Sequence, residues 1–542
     1  MGIFLNPGAD NLIMAKASEI YIDQSEMISY LNKIISTEAR FICVSRPRRF
    51  GKTMAADMIS AYYDRSVDGK VIFNNLKISS NDSFLQHLNK YDVIKITMTE
   101  FINRDSSDIR DMINTLTNDI ILDLQDEYSD INLRNSKSLL RCLQLVYAKT
   151  RRQFVFIIDE WDVVFRIFIK DEKSQIAYLD FLRDLFKNRN FIALAYMTGI
   201  LPVKKYGEHS ALNMFREFSI EMPRQLAEFF GFTAFNVQEI CKKYNVNYDE
   251  CKQWYDGYML CSSEGFNKYG KPIERVYEIY NPLSVVEAVS SGRFANYWNK
   301  TENYSALKNY IMLNIDGLKD VILKLLSGSR ERVNTEKFQN DMSNFGSKDD
   351  VLTLLIHLGY LSYDIHTKEA FIPNNEIRQE FLNSIEDEKD WSEVMYAINQ
   401  SEETLKYTWA GNEIAVAEAL NNAHFETSLL RYNDENSLSC VVSLAYYTAK
   451  NKYEIIRELP TGKGFADLVF VPRKHYPDIP AMIVELKWNK SAYTAIQQIK
   501  DKKYSNALKD YKGNILLVGI NYDRITKKHE CIIEKDIITK RK

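Results

Sequence analysis

The sequence predicts an α/β protein with two separate sheets and a helical, winged-helix-like stretch between them. Three observations predict it. Short β-rich apolar runs alternate with helically spaced apolar residues as far as about residue 222, a second alternation of the same kind begins near residue 396, and the pattern between them is helical and rich in aromatic residues. Strand-then-helix alternation is the rhythm of a parallel sheet covered by helices.

Four regions follow: 1–222, 223–300, 301–395 and 396–542. In the first, strands are expected at Phe41–Val44, Val93–Thr97, Phe154–Ile158 and Phe191–Thr198, with a helical stretch over Ser107–Tyr128. The second reads as a helical lid, with short helices at Val237–Tyr244 and Cys251–Tyr255 and turns at Asp256-Gly257 and Asn281-Pro282. In the third, Val351–Leu361 reads as a helix, Tyr363–Ile372 as two short strands around a polar turn, and Ile377–Ile385 as a helix again. That order fits a winged helix, and a plain helical lid gives a similar pattern. The fourth holds a helix over Glu435–Lys450 and strands at Tyr453–Glu458, Ala466–Val471, Met482–Leu486 and Ile515–Ile520, with a helix Ser491–Leu508 before the last.

Composition narrows the functional classes. The 542 residues are 45% hydrophobic and 26% charged, ordinary for a globular chain. A net charge of −3 supplies no general attraction for nucleic acid, which would need a local basic patch. Seven cysteines form no CxxC and read as reduced thiols. Cys241, Cys251 and Cys261 recur every ten residues, but zinc ligands usually come in close pairs, which argues against a metal there. There is no apolar run of ~18 residues, and the opening MGIFLNPGADN lacks the basic start and apolar stretch of a signal peptide. A cytoplasmic protein with no membrane contact is expected.

The first chemical motif is Ser45-Arg46-Pro47-Arg48-Arg49-Phe50-Gly51-Lys52-Thr53, placed between a predicted strand and a helix beginning near Met54. Strand, loop and helix with Gly-Lys-Thr at the junction is the context of a phosphate-binding P-loop. The helix N-terminus offers free N–H groups to phosphate oxygens, Gly51 permits close approach, Lys52 can reach the β- and γ-phosphates, and Thr53 can ligate Mg²⁺. Arg46 stands where the first loop glycine is expected. A Cβ there disfavours positive φ, so a different loop path is expected, with Arg46, Arg48 and Arg49 adding charge near the phosphates. A basic loop merely capping a helix is the plainer alternative. Phe154–Ile158 ends in Asp159 and Glu160, a Walker B pattern in which Asp159 would hold Mg²⁺ and Glu160 would polarise the attacking water. Thr198, at the end of another strand, is placed to contact the γ-phosphate or that water, or simply caps its strand.

These residues, with Leu5-Asn6-Pro7-Gly8, Tyr21-Ile22-Asp23, Ile158–Asp162 and Ser210-Ala211-Leu212-Asn213, resemble a family of prokaryotic AAA-ATPase-like proteins over roughly residues 1–300. The resemblance implies an AAA-type parallel sheet, ATP as the nucleotide, Arg46 as a family feature, and Arg183 or Arg216 as arginine-finger candidates.

The second motif lies near the C-terminal end. Asp467 sits on one predicted strand, and Glu485-Leu486-Lys487 closes the next. Residues 485 and 487 leave the same face of a strand. Two carboxylates suit Mg²⁺, with Mn²⁺ a workable substitute, and a bound divalent ion lowers the pKa of water and stabilises charge on phosphate. Lys487 could orient that water. The set resembles the PD-(D/E)xK nuclease superfamily over about residues 424–525, with Ala466-Asp467 in place of Pro-Asp. The resemblance assigns Glu435 as a helix-borne acid, Gln498 as the glutamine of the following helix, and Tyr504 as its aromatic. Lys500, Lys502, Lys503 and Lys509 could meet phosphates, although lysines on a helix commonly form a solvated face.

Two functions are compatible with these motifs. One is an ATPase controlling a metal-dependent nuclease that acts on nucleic acid, DNA ahead of RNA. The other is a nucleotide-gated interaction protein whose nuclease-like domain binds without cutting. AAA proteins often form rings, so a homo-oligomer is compatible, but the sequence fixes no subunit number.

Overall fold

The structure is a computed structural model that describes residues 2–102, 108–133, 136–203, 212–298, 305–313, 315–338, 345–386, 388–426, 435–461, 464–504, 508, 511 and 513–536. It divides into two compact units that interleave along the chain: Met1–Glu302 with Arg332–Ile377, and Asn303–Glu331 with Arg378–Lys542.

The first unit is built on five parallel strands: β1 (Phe41–Ser45), β2 (Asp92–Thr97), β3 (Phe154–Asp159), β4 (Ile192–Gly199) and β5 (Arg216–Phe218), in the order β2-β3-β4-β1-β5. Successive residues feed two cores. Ile42, Val93, Val155 and Tyr196 pack with Ile59 and Tyr62 of the helix Lys52–Tyr63. Cys43, Ile94, Phe156 and Ala195 pack on the other face with Leu182 and Phe186 of the helix Glu172–Phe186. A sheet covered on both faces needs strands that are apolar throughout, which is why four of these strands are readable as continuous runs. β5 is not, being three residues long with Arg216 exposed.

The region expected to be wholly helical is not. The helix Ala234–Tyr244 is fixed by a capping box between Thr233 and Asn236, and Pro282–Ser291 is capped by Asn281. Between them the chain makes β7 (Tyr258–Phe266) and β8 (Pro272–Tyr280), which join β6 (Phe232–Thr233) in the order β6-β8-β7. The first five residues of β8 are exposed, so no apolar alternation marks the hairpin in the sequence. Farther on, the helix Lys348–Leu358 leads into β10 (Ser362–Asp364) and β11 (Glu369–Phe371), which pair antiparallel. The short strand β9 (Glu331–Arg332) completes that sheet, and the helix Asn375–Ile385 follows.

The second unit carries a mixed sheet of β12 (Tyr453–Thr461), β13 (Gly464–Pro472), β14 (Ala481–Trp488), β15 (Ile515–Asp523) and β16 (Lys528–Asp536), in chain order across the sheet. Only β14 and β15 run parallel. A parallel pair needs a crossover, and the helix Ala492–Asp501 lies in it. Gly519 on β15 lets that helix settle on the sheet: a Cβ there would meet the Ala492 carbonyl oxygen at 2.4 Å. β16 is an edge strand of mixed polar and apolar residues, and its sequence offers no continuous apolar run to announce it.

Candidate functional site

The loop after β1 places its strain away from Arg46. The residues with positive φ are Arg49 (φ 67°) and Gly51 (φ 86°). A Cβ at Gly51 would meet nothing within 4 Å, so backbone conformation, not space, calls for glycine there. Arg46 is fully buried, donates from its Nη1 to the carbonyls of Ser45 (2.8 Å) and Phe218 (2.7 Å), and lies over the Phe230 ring. It therefore supports the loop from beneath. Pro47 packs where a Cβ on Gly359 would stand.

Gly51 caps the helix Lys52–Tyr63. Lys52 is 8% exposed, donates to the carbonyls of Arg46 (2.9 Å) and Pro47 (2.8 Å), and has its pKa pulled down to about 8 by burial against the opposing pull of Asp162 and Asp159. Thr53 Oγ1 donates to Asp159 Oδ2 at 2.7 Å, and Thr198 Oγ1 donates to Asp159 Oδ1. β4 lies between β1 and β3, so Thr198 reaches Asp159 from the neighbouring strand end. Glu160, at φ 54°, accepts from Arg166 at 3.2 Å. Arg48, Arg49, Phe50, Gly51, Lys52 and Thr53 line one side of a cavity of about 900 Å³ that Glu160 and Arg166 also border. Ile20, Ile22, Phe232, Leu283 and Val286 add apolar lining. A cleft that combines cations and helix N–H groups with apolar side chains suits a phosphorylated ligand with an apolar part. Arg46 and Pro47 are not among its lining residues.

In the second unit, the β13–β14 ladder ends at the pair Leu468–Val484, and Asp467 and Glu485 each stand one residue beyond it. Asp467 Oδ2 accepts from the Leu486 amide at 2.7 Å. Glu485 is 1% exposed. Its Oε1 accepts from Lys487 Nζ at 2.8 Å and from the Gln498 side-chain amide, which also reaches the Tyr504 hydroxyl at 3.2 Å. Burial first, and the nearby Asp467 second, push the Glu485 pKa up to about 7, with Lys487 opposing them. Glu485 Oε2 is buried with no hydrogen-bond partner among the described residues. A buried carboxylate oxygen without a donor, beside a second carboxylate, is the environment a divalent cation satisfies. Glu435 begins the helix Glu435–Ala445, but its side chain is outside the described residues, as are Lys509, Ser210 and Ala211. Lys500 is paired with Glu534 at 2.6 Å.

Residues 11–207 match the family described as predicted AAA-ATPase, and residues 433–531 match the PD-(D/E)XK nuclease superfamily. The chain carries an AAA-ATPase-like domain and a PD-(D/E)xK-superfamily domain. A curated relative, an uncharacterized protein in the vnfD 5' region of Azotobacter chroococcum mcd 1, is 21% identical over 267 residues, 48% of this chain and 46% of that one. The chain thus spans about half the length of that relative. Among solved structures, the Aeropyrum pernix ORC2 protein (ADPNP-ADP complexes) is matched at 12% identity and a TM-score of 0.26, over 68% of this chain and 96% of that one.

In the AAA-ATPase-like domain the finger candidates Arg183 and Arg216 do not line the cavity. Arg183 pairs with Asp180 at 2.9 Å, and Arg216 is exposed on β5. Arg166 does line it, and sequence reasoning passed over it. Asp162, read from the sequence only as the end of the Ile158–Asp162 motif, is fully buried, accepts from the Ile200 and Leu201 amides at 3.0 Å each and holds the turn after Thr198. Its spacing three residues after Asp159 was the available signal. Among the described residues no helix is long and apolar enough to cross a membrane.

Proposed function

We propose that the chain binds and hydrolyses ATP in its AAA-ATPase-like domain, and that this cycle controls Mg²⁺-dependent phosphodiester cleavage by the PD-(D/E)xK domain, with DNA ahead of RNA as substrate. The observation that carries the nuclease reading is the buried Glu485, with one oxygen free of donors and the other held by Lys487 and Gln498. Asp467 and Glu485 would hold the ion, and Thr53 and Asp159 would hold its counterpart beside the P-loop. A bound Mg²⁺ would neutralise phosphate charge at both sites and, between Asp467 and Glu485, would also acidify water. The chain's own groups do the rest. Lys487 orients the attacking water, and Gln498 fixes the Glu485 carboxylate. At the P-loop, Lys52 leaves the loop carbonyls for phosphate, and Glu160 takes up the proton of the hydrolytic water.

A cleavage assay on single- and double-stranded DNA and on RNA, with and without ATP, tests this on wild type, Lys52→Ala and Lys487→Ala. Loss of cleavage in Lys487→Ala, together with loss of ATP dependence in Lys52→Ala, is the expected result. Equal inactivity of wild type and Lys487→Ala on every substrate overturns the nuclease reading. A second reading, nucleotide-gated binding without turnover, draws support from the pairing of Lys52 with the loop carbonyls and of Glu160 with Arg166. It predicts ATP affinity with negligible hydrolysis, unchanged by Glu160→Gln.

A further inference from the structure

We propose that Cys261, Glu274 and His366 form a zinc site that fastens the β7–β8 hairpin to the turn between β10 and β11. Cys261 pairs with Val276 across the hairpin, and Ser263 pairs with Glu274. Cys261 and Glu274 are therefore diagonal neighbours on one face. His366 comes from the turn after β10, where its backbone N–H donates to Asp364 Oδ1 at 2.9 Å. Cys261 Sγ lies 3.9 Å from His366 Nε2, and the other ring nitrogen, Nδ1, lies 3.9 Å from Glu274 Oε2; only one of the two nitrogens can bind the ion. One donor atom from each of the three falls within 4.8 Å of the others.

The donor set selects the ion. A thiolate, an imidazole and a carboxylate suit Zn²⁺, whereas Mg²⁺ takes oxygen ligands. Zinc bonds of about 2.0–2.3 Å hold tetrahedral donors roughly 3.5 Å apart, so donors that lie within 4.8 Å of one another close on the ion when side-chain ends draw in by about 1 Å. Glu274 and His366 are 39% and 51% exposed, which leaves the site open to an entering ion and to a water as fourth ligand. The other two members of the ten-residue cysteine series differ in kind: Cys241 and Cys251 are buried in an apolar core. The ligands of this site are far apart in sequence, and for that reason the search for close pairs does not find it.

The test is a Co²⁺ titration of chelator-stripped, full-length protein in excess Mg²⁺. We expect one equivalent of cobalt to give a thiolate-to-cobalt charge-transfer band that Zn²⁺ displaces. Cys261→Ser should abolish the band, and His366→Ala and Glu274→Gln should each weaken cobalt binding tenfold or more. Asp467→Asn and Lys487→Ala should leave the band unchanged, separating this site from the nuclease centre. Absence of the band in wild type overturns the proposal, as does an undiminished band in Cys261→Ser. Should that variant fail to fold by circular dichroism, unchanged cobalt affinity in His366→Ala does the same.

Discussion

Gln498 donates its side-chain amide to the same Glu485 oxygen that accepts from Lys487. The glutamine comes from a helix and the other two from a strand, so this shared oxygen ties the helix to the end of β14 that carries Glu485 and Lys487. Groups that orient metal ligands commonly matter by about 10–100-fold in affinity or activity. Gln498→Ala should therefore raise the Mg²⁺ concentration needed for half-maximal cleavage by about that factor. Gln498→Glu, which adds a third carboxylate to Asp467 and Glu485, should be worse still at neutral pH. An Mg²⁺ titration of cleavage rate gives the answer, and equal midpoints for wild type and Gln498→Ala would falsify the positioning role.

Gly519 governs the same contact from the far side. A methyl group there collides with the Ala492 carbonyl and with Ile496, neither able to retreat without the helix moving. Overpacking of this kind costs about 1–3 kcal/mol. Gly519→Ala should lower the melting temperature and reduce cleavage together. Full activity at a lowered melting temperature would show that the helix moves without disturbing Glu485.

At the P-loop, Asp159 is held on one oxygen by Thr53 and on the other by Thr198. Thr198→Val removes one of two donors on Asp159 Oδ1 and leaves the Glu160 amide at 3.0 Å; one lost hydrogen bond to a charged group costs about 1.5–3 kcal/mol. ATP affinity measured with Mg²⁺ should fall in this variant, while affinity measured in EDTA stays near wild type. Lys52→Ala should weaken binding at least tenfold in both conditions. Isothermal titration distinguishes the two patterns.

Glu160 and Arg166 form an ion pair at the cavity edge, and the Arg166 Nε is also 3.4 Å from buried Asp162. A lost general base costs about 10²–10⁴-fold in rate. Glu160→Gln should keep ATP affinity and lose turnover by at least the lower figure. Arg166→Ala should lower stability, because Asp162 has 0% exposure and loses its cation. Steady-state hydrolysis and thermal melting, run on both variants, separate the two effects.

His424 and His529 lie against Tyr522 in the second unit. Burial pulls their pKa values from 6.5 down to about 4 and about 3, with His424 adding to the shift of His529. As pH falls, the unfolded chain takes up these protons first. Their contribution is complete above pH 6.5 and is lost as pH drops towards 4. The melting temperature should fall between pH 7 and pH 5, and His529→Phe should narrow that gap. An equal gap in both proteins rules out His529 as a source.

Much of this could be read from the chain itself. Four parallel strands, the P-loop and the Glu485–Lys487 strand announce themselves because burial on both faces demands apolar runs and because their chemistry demands particular residues at strand ends. The β7–β8 hairpin and β16 did not, since exposed or edge strands satisfy their hydrogen bonds without a distinctive side-chain pattern. Arg46 illustrates a different limit. Its identity marked a departure from the glycine rule, but only the backbone angles reveal that Arg49 and Gly51 carry the left-handed turn while Arg46 does not. The Cys261–Glu274–His366 group depends on a contact across 105 residues, which spacing in one dimension does not record, whereas Arg166 pairs only six and four residues from Glu160 and Asp162 and was within reach of the sequence.

The interleaving of the two units has a consequence for how such a gene can be cut and rejoined. The chain passes from one unit to the other after Glu302, after Glu331 and after Ile377. A recombination event that transplants either unit whole needs three breakpoints rather than one. Any single crossover leaves a fragment behind, such as Asn303–Glu331 without the rest of its unit. The path of the backbone thus ties the two units together in any exchange made at a single point.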